Sequence, residues 1–191
     1  NESFTHSMLQ ILDETQSLFA LNNALMLQYA FRTSGLATLE MHASVIENGG
    51  KAYLFLAKSG TGKSTHSRMW LKNVPGMLND DNPIVRVLSD GTVMAYGSPW
   101  SGKTACYHNE SYPVGAMVEI RRALYDKITP LGTVSAYALV YSSTSGIKFD
   151  AKMADDLHTT LCEVVKKVHC FTLECLPDAQ AALVCYNGVK G

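Results

Sequence analysis

The chain has 191 residues, of which 47% are hydrophobic and 17% are charged, and its formal net charge is -1. This length is enough for one sizeable α/β domain. A net charge near zero gives no overall field that would attract nucleic acid or an acidic membrane surface, so we expect neither as a partner. No apolar run is long enough to span a membrane, and we recognise no signal peptide.

The five cysteines are scattered along the chain and form no C-x-x-C pair. This spacing favours reduced thiols in a cytoplasmic protein over a disulfide framework or a zinc site. The charged fraction is below the usual quarter, which indicates that part of the surface is buried either in an oligomer or against a further segment of the protein. We therefore expect a homo-oligomer, with apolar side chains near Trp70 or on a helix over 150–168 as candidate contacts.

The beginning of the chain combines a weakly patterned segment with a helix. We expect residues 1–16 to be poorly ordered or to form an incoming connection. After them, the helical spacing of apolar side chains predicts an amphipathic helix that carries Leu18, Leu21, Leu25 and Tyr29.

Two strands joined by a tight turn follow this helix. Alternation of apolar and polar residues predicts a half-buried strand over 37–47, with His42 on its polar face. The sequence Asn48-Gly49-Gly50 is a hairpin signal, so this strand should pair antiparallel with a strand over 51–57. The unbroken apolar run 53–57 is typical of a strand buried on both faces. The predicted sheet is therefore mixed.

A glycine loop and a helix come directly after the buried strand. The pattern is A-x-x-x-x-G-K-S, with Ala57 at the position where the usual phosphate-loop rule has glycine. A helix should run from Lys63 to Lys72 and end at Pro75-Gly76. In this context, backbone N–H groups of the loop and the helix dipole bind phosphate. The alternative is a glycine-rich turn before a surface helix.

The loop predicts a nucleotide site. Lys63 would reach the β- and γ-phosphates, and Ser64 would offer its hydroxyl to Mg²⁺. The predicted nucleotide-binding residues are Ser59, Gly60, Thr61, Gly62, Lys63, Ser64 and Thr65.

Asp80 and Asp81 supply the groups that phosphoryl transfer needs besides the loop. They follow a short apolar run, and in an open α/β sheet this places them beside the loop at the same edge. Asp80 would hold Mg²⁺ and Asp81 would accept the proton of the attacking hydroxyl, with their mutual repulsion raising one pKa. The alternative is a polar turn over 79–83, because Asp, Asn and Pro are turn residues.

Residues 97–104 also match a phosphate-loop pattern, G-x-x-x-x-G-K-T. Pro99 has no N–H to donate, Trp100 is bulky where backbone would approach a phosphate, and the following residues are too polar for the required helix. We interpret this match as a coincidence of pattern. The segment is still a candidate active-site loop, because Trp100 and Lys103 place an aromatic ring near a cation.

The remaining chain predicts further strands and helices. Strands are expected over 84–88, 92–96, 114–120 and 171–176, with an Asp90-Gly91 turn between the first two. Helices are expected over 134–141, over 153–168, and from Pro177 to Gly188.

Residues 37–88 resemble the catalytic core of HPr kinase/phosphorylase, a bacterial enzyme that phosphorylates a serine of the phosphocarrier HPr. In that family a histidine lies 21 positions before the loop lysine and an aspartate pair follows it by 17 and 18 positions, and His42, Asp80 and Asp81 have the same spacings from Lys63. The resemblance implies that His42 is an active-site residue, hydrogen-bonded to the acidic pair or to the attacked phosphate.

The wider group resembles phosphoenolpyruvate carboxykinase. The resemblance therefore implies an α/β fold in which 1–191 form one kinase-like nucleotide-binding domain, with a mixed β-sheet and flanking helices. The expected function is an ATP- and Mg²⁺-dependent kinase that acts on a hydroxyl, with His42, Lys63, Asp80 and Asp81 as catalytic residues.

Several points about the substrate stay open. The acceptor is either a protein serine, as in HPr, or a small hydroxyl compound such as free serine. From a different class, the domain would be a nucleotide-responsive binding module with little catalysis. Candidate substrate contacts are Trp100, Lys103 and Arg121, with Arg122 as a further cation, whereas His66 and Arg68 are expected to face solvent or a neighbouring subunit.

Overall fold

Strand β3 (Lys51–Leu56) lies inside a mixed β-sheet in the computed structural model, which describes residues 6–71, 76–102, 105–106 and 108–190. Successive side chains of a strand point to opposite faces of the sheet. Leu54 and Leu56 therefore enter one hydrophobic core, whereas Tyr53 and Phe55 enter another. The prediction of a strand buried on both faces is confirmed.

Within the described residues the sheet has nine strands and is flanked by α-helices. The other strands are β1 (Thr38–Glu40), β2 (Ala43–Asn48), β4 (Gly76–Asn79), β5 (Ile84–Val87), β6 (Val93–Tyr96), β7 (Ser111–Arg122), β8 (Lys127–Pro130) and β9 (Cys170–Cys175). The helices are α1 (Ser17–Thr33), α2 (Lys63–Leu71), α3 (Thr133–Ser142), α4 (Ala151–Lys167) and α5 (Ala179–Val189).

The order of the strands places three carboxyl ends side by side. The sheet runs β1-β5-β6-β7-β3-β2-β4, and β9 pairs with β7 and carries β8 on its other side. β3, β7 and β9 are parallel neighbours, while the other strand pairs of the sheet are antiparallel. The chain therefore leaves β3, β7 and β9 at the same edge of the sheet, where ligands bind in open α/β folds.

The predicted hairpin is present between β2 and β3. Gly49 and Gly50 form its turn with φ angles of 62° and 76°, a conformation that glycine adopts without strain. The register pairs Ala43 with Leu56, and its continuation sets His42 opposite Ala57. The antiparallel pairing predicted from the turn sequence is confirmed.

The prediction of one half-buried strand over 37–47 is wrong in two respects. First, the strand is divided at Met41 and His42, so that β1 pairs with β5 and β2 pairs with β3 and β4. Second, the polar residues Thr38, Glu40 and Ser44 are all buried, because both faces of the sheet are covered.

The two faces are covered by different helices. The core on one side contains buried side chains of α1, α3 and α4, and the core on the other side contains side chains of α2 and α5. Helix α4 confirms its predicted apolar stripe, and Asp150 caps it by accepting a hydrogen bond from the Met153 N–H at 2.9 Å. The buried residues of the stripe are Met153, Leu157, Leu161 and Val164.

Helix α1 is present, but its predicted buried stripe is not. Leu18, Leu21 and Leu25 are 82%, 47% and 53% exposed, and the buried residues of this helix are Ala30 and Phe31 near its carboxyl end. The candidates for self-contact are also corrected. Trp70 is only 3% exposed and the α4 stripe lies in the core, so neither is available at the surface.

Other boundaries differ in detail. Helix α3 buries Ala136, Leu139 and Val140 and leaves Val134 exposed, so its inner face is not the predicted one. Helix α5 starts after the capping residue Asp178 and runs through Gly188 to Val189. The short strands β4 and β8 were not predicted as strands. None of the helices in the described ranges is long and apolar enough to cross a membrane.

We predict that Leu161→Ala lowers the free energy of unfolding by about 2–5 kcal/mol, because the side chain is fully buried in the α4 core and its removal leaves a cavity. The matched variant Leu18→Ala removes the same atoms from an exposed site and should change stability by less than about 0.5 kcal/mol. Urea unfolding measures both. A large loss for Leu18→Ala would show that the outer face of α1 is buried in solution.

Candidate functional site

The residues 58–62, here called the glycine loop, connect β3 to α2. Gly60 and Gly62 have φ angles of 78° and 127°, which favour glycine, and a Cβ at either position would meet no atom within 4 Å. Glycine is therefore required here by backbone conformation and not by crowding. Within the loop the Thr61 N–H donates to the Lys58 carbonyl at 3.2 Å, and α2 begins at the next residue after Gly62.

Arg122 at the end of β7 holds the outer side of this loop. Its Nε donates to the Thr61 carbonyl at 3.1 Å, and its Nη2 donates to the Gly60 carbonyl at 2.5 Å. The loop is thus fixed to the carboxyl end of a strand that neighbours β3. Sequence reasoning named Arg122 only as a general cation and did not predict this contact.

Arg121, the predicted substrate contact, lies apart from the glycine loop. Neighbouring residues of a strand point to opposite faces, so Arg121 lies on the face away from Arg122. It is 60% exposed and pairs with Glu119 at 2.9 Å, and the two residues line a separate cavity beside α3. Of the two neighbouring arginines, Arg122 is therefore the one that bonds the glycine loop, and the substrate role of Arg121 stays a prediction.

Lys63, His42 and Asp81 meet at the inner side of the loop. Lys63 is 7% exposed, and its Nζ donates to the Ala57 carbonyl at 3.1 Å and lies 3.0 Å from His42 Nε2. The same Nε2 lies 3.3 Å from Asp81 Oδ1. The prediction that His42 reaches the acidic pair or a loop group is confirmed, and the register of the hairpin explains it.

The two contacts of His42 Nε2 require different protonation states. A lysine ammonium has donors only, so Nε2 must be unprotonated to accept from Lys63. A carboxylate has acceptors only, so Nε2 must carry a proton to donate to Asp81. One ring nitrogen cannot do both at once, and the proton on Nε2 therefore decides which neighbour the histidine bonds.

The surroundings of these groups shift two pKa values. The hydrogen bond with His42 is the main cause that lowers the pKa of Asp81. Burial raises this pKa, whereas the charges of His42 and Lys63 lower it further. Burial lowers the pKa of Lys63, and the charges of Asp81 and Asp80 oppose this shift. Asp81 is therefore not the member of the acidic pair whose pKa is raised.

Asn79 orders the acidic pair, a role that sequence reasoning missed because the residue was read as part of a turn. Its Oδ1 accepts from the N–H groups of Asp81 and Asn82 at 2.9 and 2.8 Å. Its Nδ2 donates to the Trp100 carbonyl at 3.0 Å. Asn79 is fully buried and Asp80 is 3% exposed. The hydrogen bonds that fix the chain at the acidic pair therefore lie inside the protein.

The second loop packs directly on the acidic pair. A Cβ on Gly102 would lie 3.2 Å from Asp81 Cβ and 3.4 Å from Asp80 Oδ2, which only glycine tolerates easily. The Trp100 ring packs on Tyr29 of α1 with centroids 5.4 Å apart. No helix follows in the described residues 105–106 and 108–110, as expected. Lys103, the predicted cation of this loop, lies outside the described residues.

His66 is not at the surface, contrary to expectation. It is 2% exposed, and its Nε2 accepts a hydrogen bond from Trp70 Nε1 at 3.0 Å. Burial lowers its pKa to about 4, so the ring is neutral at pH 7. Arg68 on the same helix is exposed, as expected.

Among the described residues, no group of three or more His, Cys, Asp and Glu side chains is arranged to hold a metal ion. The predicted metal residues occupy different elements: Ser64 is the second residue of α2, and Asp80 follows β4. Asp80 and Asp81 are both close enough to Lys63 for their negative charges to raise its pKa. A divalent cation here would therefore take few ligands from the chain itself.

Comparisons with known proteins assign the chain to a family. Residues 7–178 match the family model described as SynChlorMet cassette protein ScmC, and the chain therefore belongs to this family. It is also similar to the structure titled "Structure of the Hpr(Ser) kinase/phosphatase from Coxiella burnetii", with a TM-score of 0.46 and 8% identity over 79% of this chain and 88% of that chain. No curated protein matched the chain.

We predict that the carboxyl group of Asp81 titrates below its ordinary value of 3.8 and that His42→Phe raises this pKa, because it removes the largest cause of the shift. A lowered folded-state pKa stabilises the protein above the unfolded-state pKa, and the contribution is lost as the pH falls through the folded value. NMR titration of the carboxyl carbons measures the shift. Asp90, whose pKa is lowered mainly by hydrogen bonds with Thr92, is the internal control.

We also predict that Arg122→Ala loosens the glycine loop, since two loop carbonyls lose their donor. Amide hydrogen exchange over 58–66 should become faster by about tenfold. Arg121→Ala removes the same side chain from the other face and should leave this segment unchanged. Equal exchange in the two variants would contradict the role assigned to Arg122.

Proposed function

We propose that this member of the ScmC family is a kinase that uses ATP and Mg²⁺ to transfer a phosphoryl group to a hydroxyl. The observation that carries the proposal is the position of His42 Nε2, 3.0 Å from Lys63 Nζ and 3.3 Å from Asp81 Oδ1 beside the glycine loop. A phosphate-binding loop alone accounts for Lys63. The histidine and the carboxylate add a group that can receive a proton at the same place.

The glycine loop and the start of α2 would bind the phosphates. The loop follows the buried strand β3 and ends at a helix N-terminus, which offers unpaired N–H groups and a favourable dipole. Lys63 is buried beside the loop and would exchange its contact with the Ala57 carbonyl for a phosphate oxygen. The residues proposed for this role are Ser59, Gly60, Thr61, Gly62, Lys63, Ser64 and Thr65.

The residues at the sheet edge fit a magnesium ion that is shared with a nucleotide. Mg²⁺ commonly keeps several waters and binds through one or two protein oxygens plus substrate phosphates. The Ser64 hydroxyl and the Asp80 carboxylate are oxygen ligands of this kind, and no larger protein cage exists among the described residues. When bound, the ion would neutralise charge that develops on the transferring phosphoryl group.

Asp81 would act as the base for the attacking hydroxyl. Its lowered pKa keeps the carboxylate ionised at neutral pH, so it can orient the hydroxyl and accept its proton. A weak base suffices in phosphoryl transfer, because positioning and charge stabilisation supply most of the catalysis. His42 Nε2 lies 3.3 Å from the carboxylate and would orient it through their hydrogen bond.

A groove near the acidic pair offers a place for the acceptor. It has a volume of about 310 Å³, and three aromatic rings, Tyr29, Tyr96 and Trp100, contribute to its walls. Asn79 connects it to the acidic pair by its hydrogen bond to the Trp100 carbonyl. An aromatic groove of this kind favours a serine in a protein or peptide over free serine, which would fit a small polar pocket better.

Arg86 gives the groove a positive charge. Its guanidinium lies on the groove wall and has no hydrogen bond or ion pair with another described residue. The register pairs Arg86 with Thr38 at the start of β1, whereas His42 lies beyond the end of β1, so Arg86 and His42 are set at different points along the sheet. An acceptor that reaches both points is longer than a free amino acid, and this favours the protein acceptor further.

We predict that the protein transfers label from γ-labelled ATP and Mg²⁺ to a protein acceptor, tested with HPr, free serine and cell extract. Asp81→Asn should keep MgATP binding and lower turnover by about 10²–10⁴-fold, because the base is removed. Asp80→Asn should weaken MgATP binding by about tenfold or more, because a metal ligand is lost. Lys63→Ala should abolish binding.

The control for these variants is Asp90→Asn, which makes the same change in an exposed turn and should leave binding and turnover unchanged. Full activity of Asp80→Asn and Asp81→Asn would identify the acidic pair as a polar turn. Tight MgATP binding without transfer to any acceptor would instead support a nucleotide-responsive binding module.

A further inference from the structure

A cavity of about 370 Å³ lies next to the glycine loop, and neither Asp80 nor Asp81 is among the described residues that line it. Gly60, Thr61 and Gly62 form part of its wall, so the cavity is continuous with the loop. Its other walls come from the first turns of α2 and from the carboxyl ends of β7 and β9. We call it the loop cavity. Its position matches the edge of the sheet where the three parallel strands end.

The loop cavity combines apolar walls with few polar groups. Met69, Ile120, Leu176 and Pro177 give it surfaces against which a flat ring can pack. The described residues that line it include no carboxylate, so none of them repels a phosphorylated ligand. Apolar walls with a small number of placed polar groups are typical of small-molecule sites.

His66 supplies one placed polar group. An indole N–H can only donate, so the hydrogen bond from Trp70 Nε1 shows that His66 Nε2 is unprotonated. The ring is neutral at pH 7 because burial lowers its pKa to about 4. The single ring proton is therefore on Nδ1, and this N–H has no hydrogen-bond acceptor among the described residues.

The donor is also held in place. The His66 ring lies edge-on to Phe55, with centroids 4.8 Å apart, and Trp70 is packed between Phe55 and Tyr186. A buried N–H without an acceptor costs free energy, and a ligand that brings an acceptor removes this cost. His66 is one of the residues that line the loop cavity, so an oxygen or nitrogen acceptor of a bound ligand is the group that would satisfy this donor.

We propose that the loop cavity binds the nucleoside part of the nucleotide and that His66 Nδ1–H donates a hydrogen bond to a base nitrogen or a sugar oxygen. This inference rests on the proposed function, in which the glycine loop binds the phosphates. Thr65 lies in the wall of the cavity and in the first turn of α2. The proposed phosphate site and the proposed nucleoside site therefore meet at this residue. The base packs between the side chain of Met69 and the chain segment 175–177.

The test compares ATP with inorganic tripolyphosphate, which has the phosphates but no nucleoside. In calorimetric titrations with Mg²⁺, the wild-type protein should bind ATP at least about tenfold more tightly than tripolyphosphate. Ala123→Trp fills the loop cavity and should reduce the affinity for ATP to that for tripolyphosphate, without changing the latter. Leu124→Trp is the matched control, because Leu124 is 91% exposed and lies outside the cavity, and it should keep the preference for ATP.

A second variant tests the hydrogen bond itself. His66→Phe keeps a ring but removes the donor, and it should lower the affinity for ATP several-fold while tripolyphosphate binding stays the same. Thermal unfolding of this variant checks that the loss of the Trp70 contact has not unfolded the protein. If the wild-type protein binds ATP and tripolyphosphate equally, or if Ala123→Trp keeps the preference for ATP, the inference is overturned while the phosphate site stands. If neither ligand binds, the proposed function fails together with this inference.

Discussion

The hairpin register between β2 and β3 is the constraint on which the candidate site depends. It pairs Ala43 with Leu56, and this sets His42 opposite Ala57, the residue whose carbonyl bonds the Lys63 ammonium. A shift by one residue would turn His42 to the other face of the sheet and separate it from Lys63. The two turn glycines with positive φ fix this register, so the turn sequence and the reactive groups form one unit.

The parallel strands add the second half of the arrangement. β3, β7 and β9 end at one edge, and each end contributes to the region around the loop: β3 leads into it, Arg122 of β7 holds its carbonyls, and the chain after β9 closes the loop cavity. Asp80 and Asp81 directly follow β4, and Asp81 lies at the inner side of the loop beside His42. The glycine loop thus contacts Lys63, His42 and Asp81 at its inner side, and Arg122 and a cavity with mostly apolar walls at its outer side.

How much of this could be predicted depends on the range of the interactions. Regular patterns predicted β3, the hairpin and α4. The family resemblance together with the hairpin geometry predicted that His42 reaches the acidic pair or a group of the loop. The choice between Arg121 and Arg122 could not be made, because it depends on which face of β7 meets the loop. The burial of Glu40 was equally inaccessible to sequence reasoning: both sheet faces are covered, neither carboxylate oxygen has a hydrogen-bond partner among the described residues, and burial raises its pKa to about 7.

On the proposed function, the shared nitrogen of His42 would connect nucleotide binding to the protonation state of the histidine beside Asp81. In the structure described here, Lys63 lies within bonding distance of Nε2, and an ammonium that donates to Nε2 leaves no proton there for Asp81. On the proposed function, a phosphate draws the Lys63 ammonium away from the histidine. Nε2 can then take up a proton and donate it in a hydrogen bond to Asp81, or receive the proton that Asp81 takes from the acceptor hydroxyl. The carboxylate is thereby oriented for the acceptor when the phosphates are present, because only then does its histidine partner lose the competing bond to lysine.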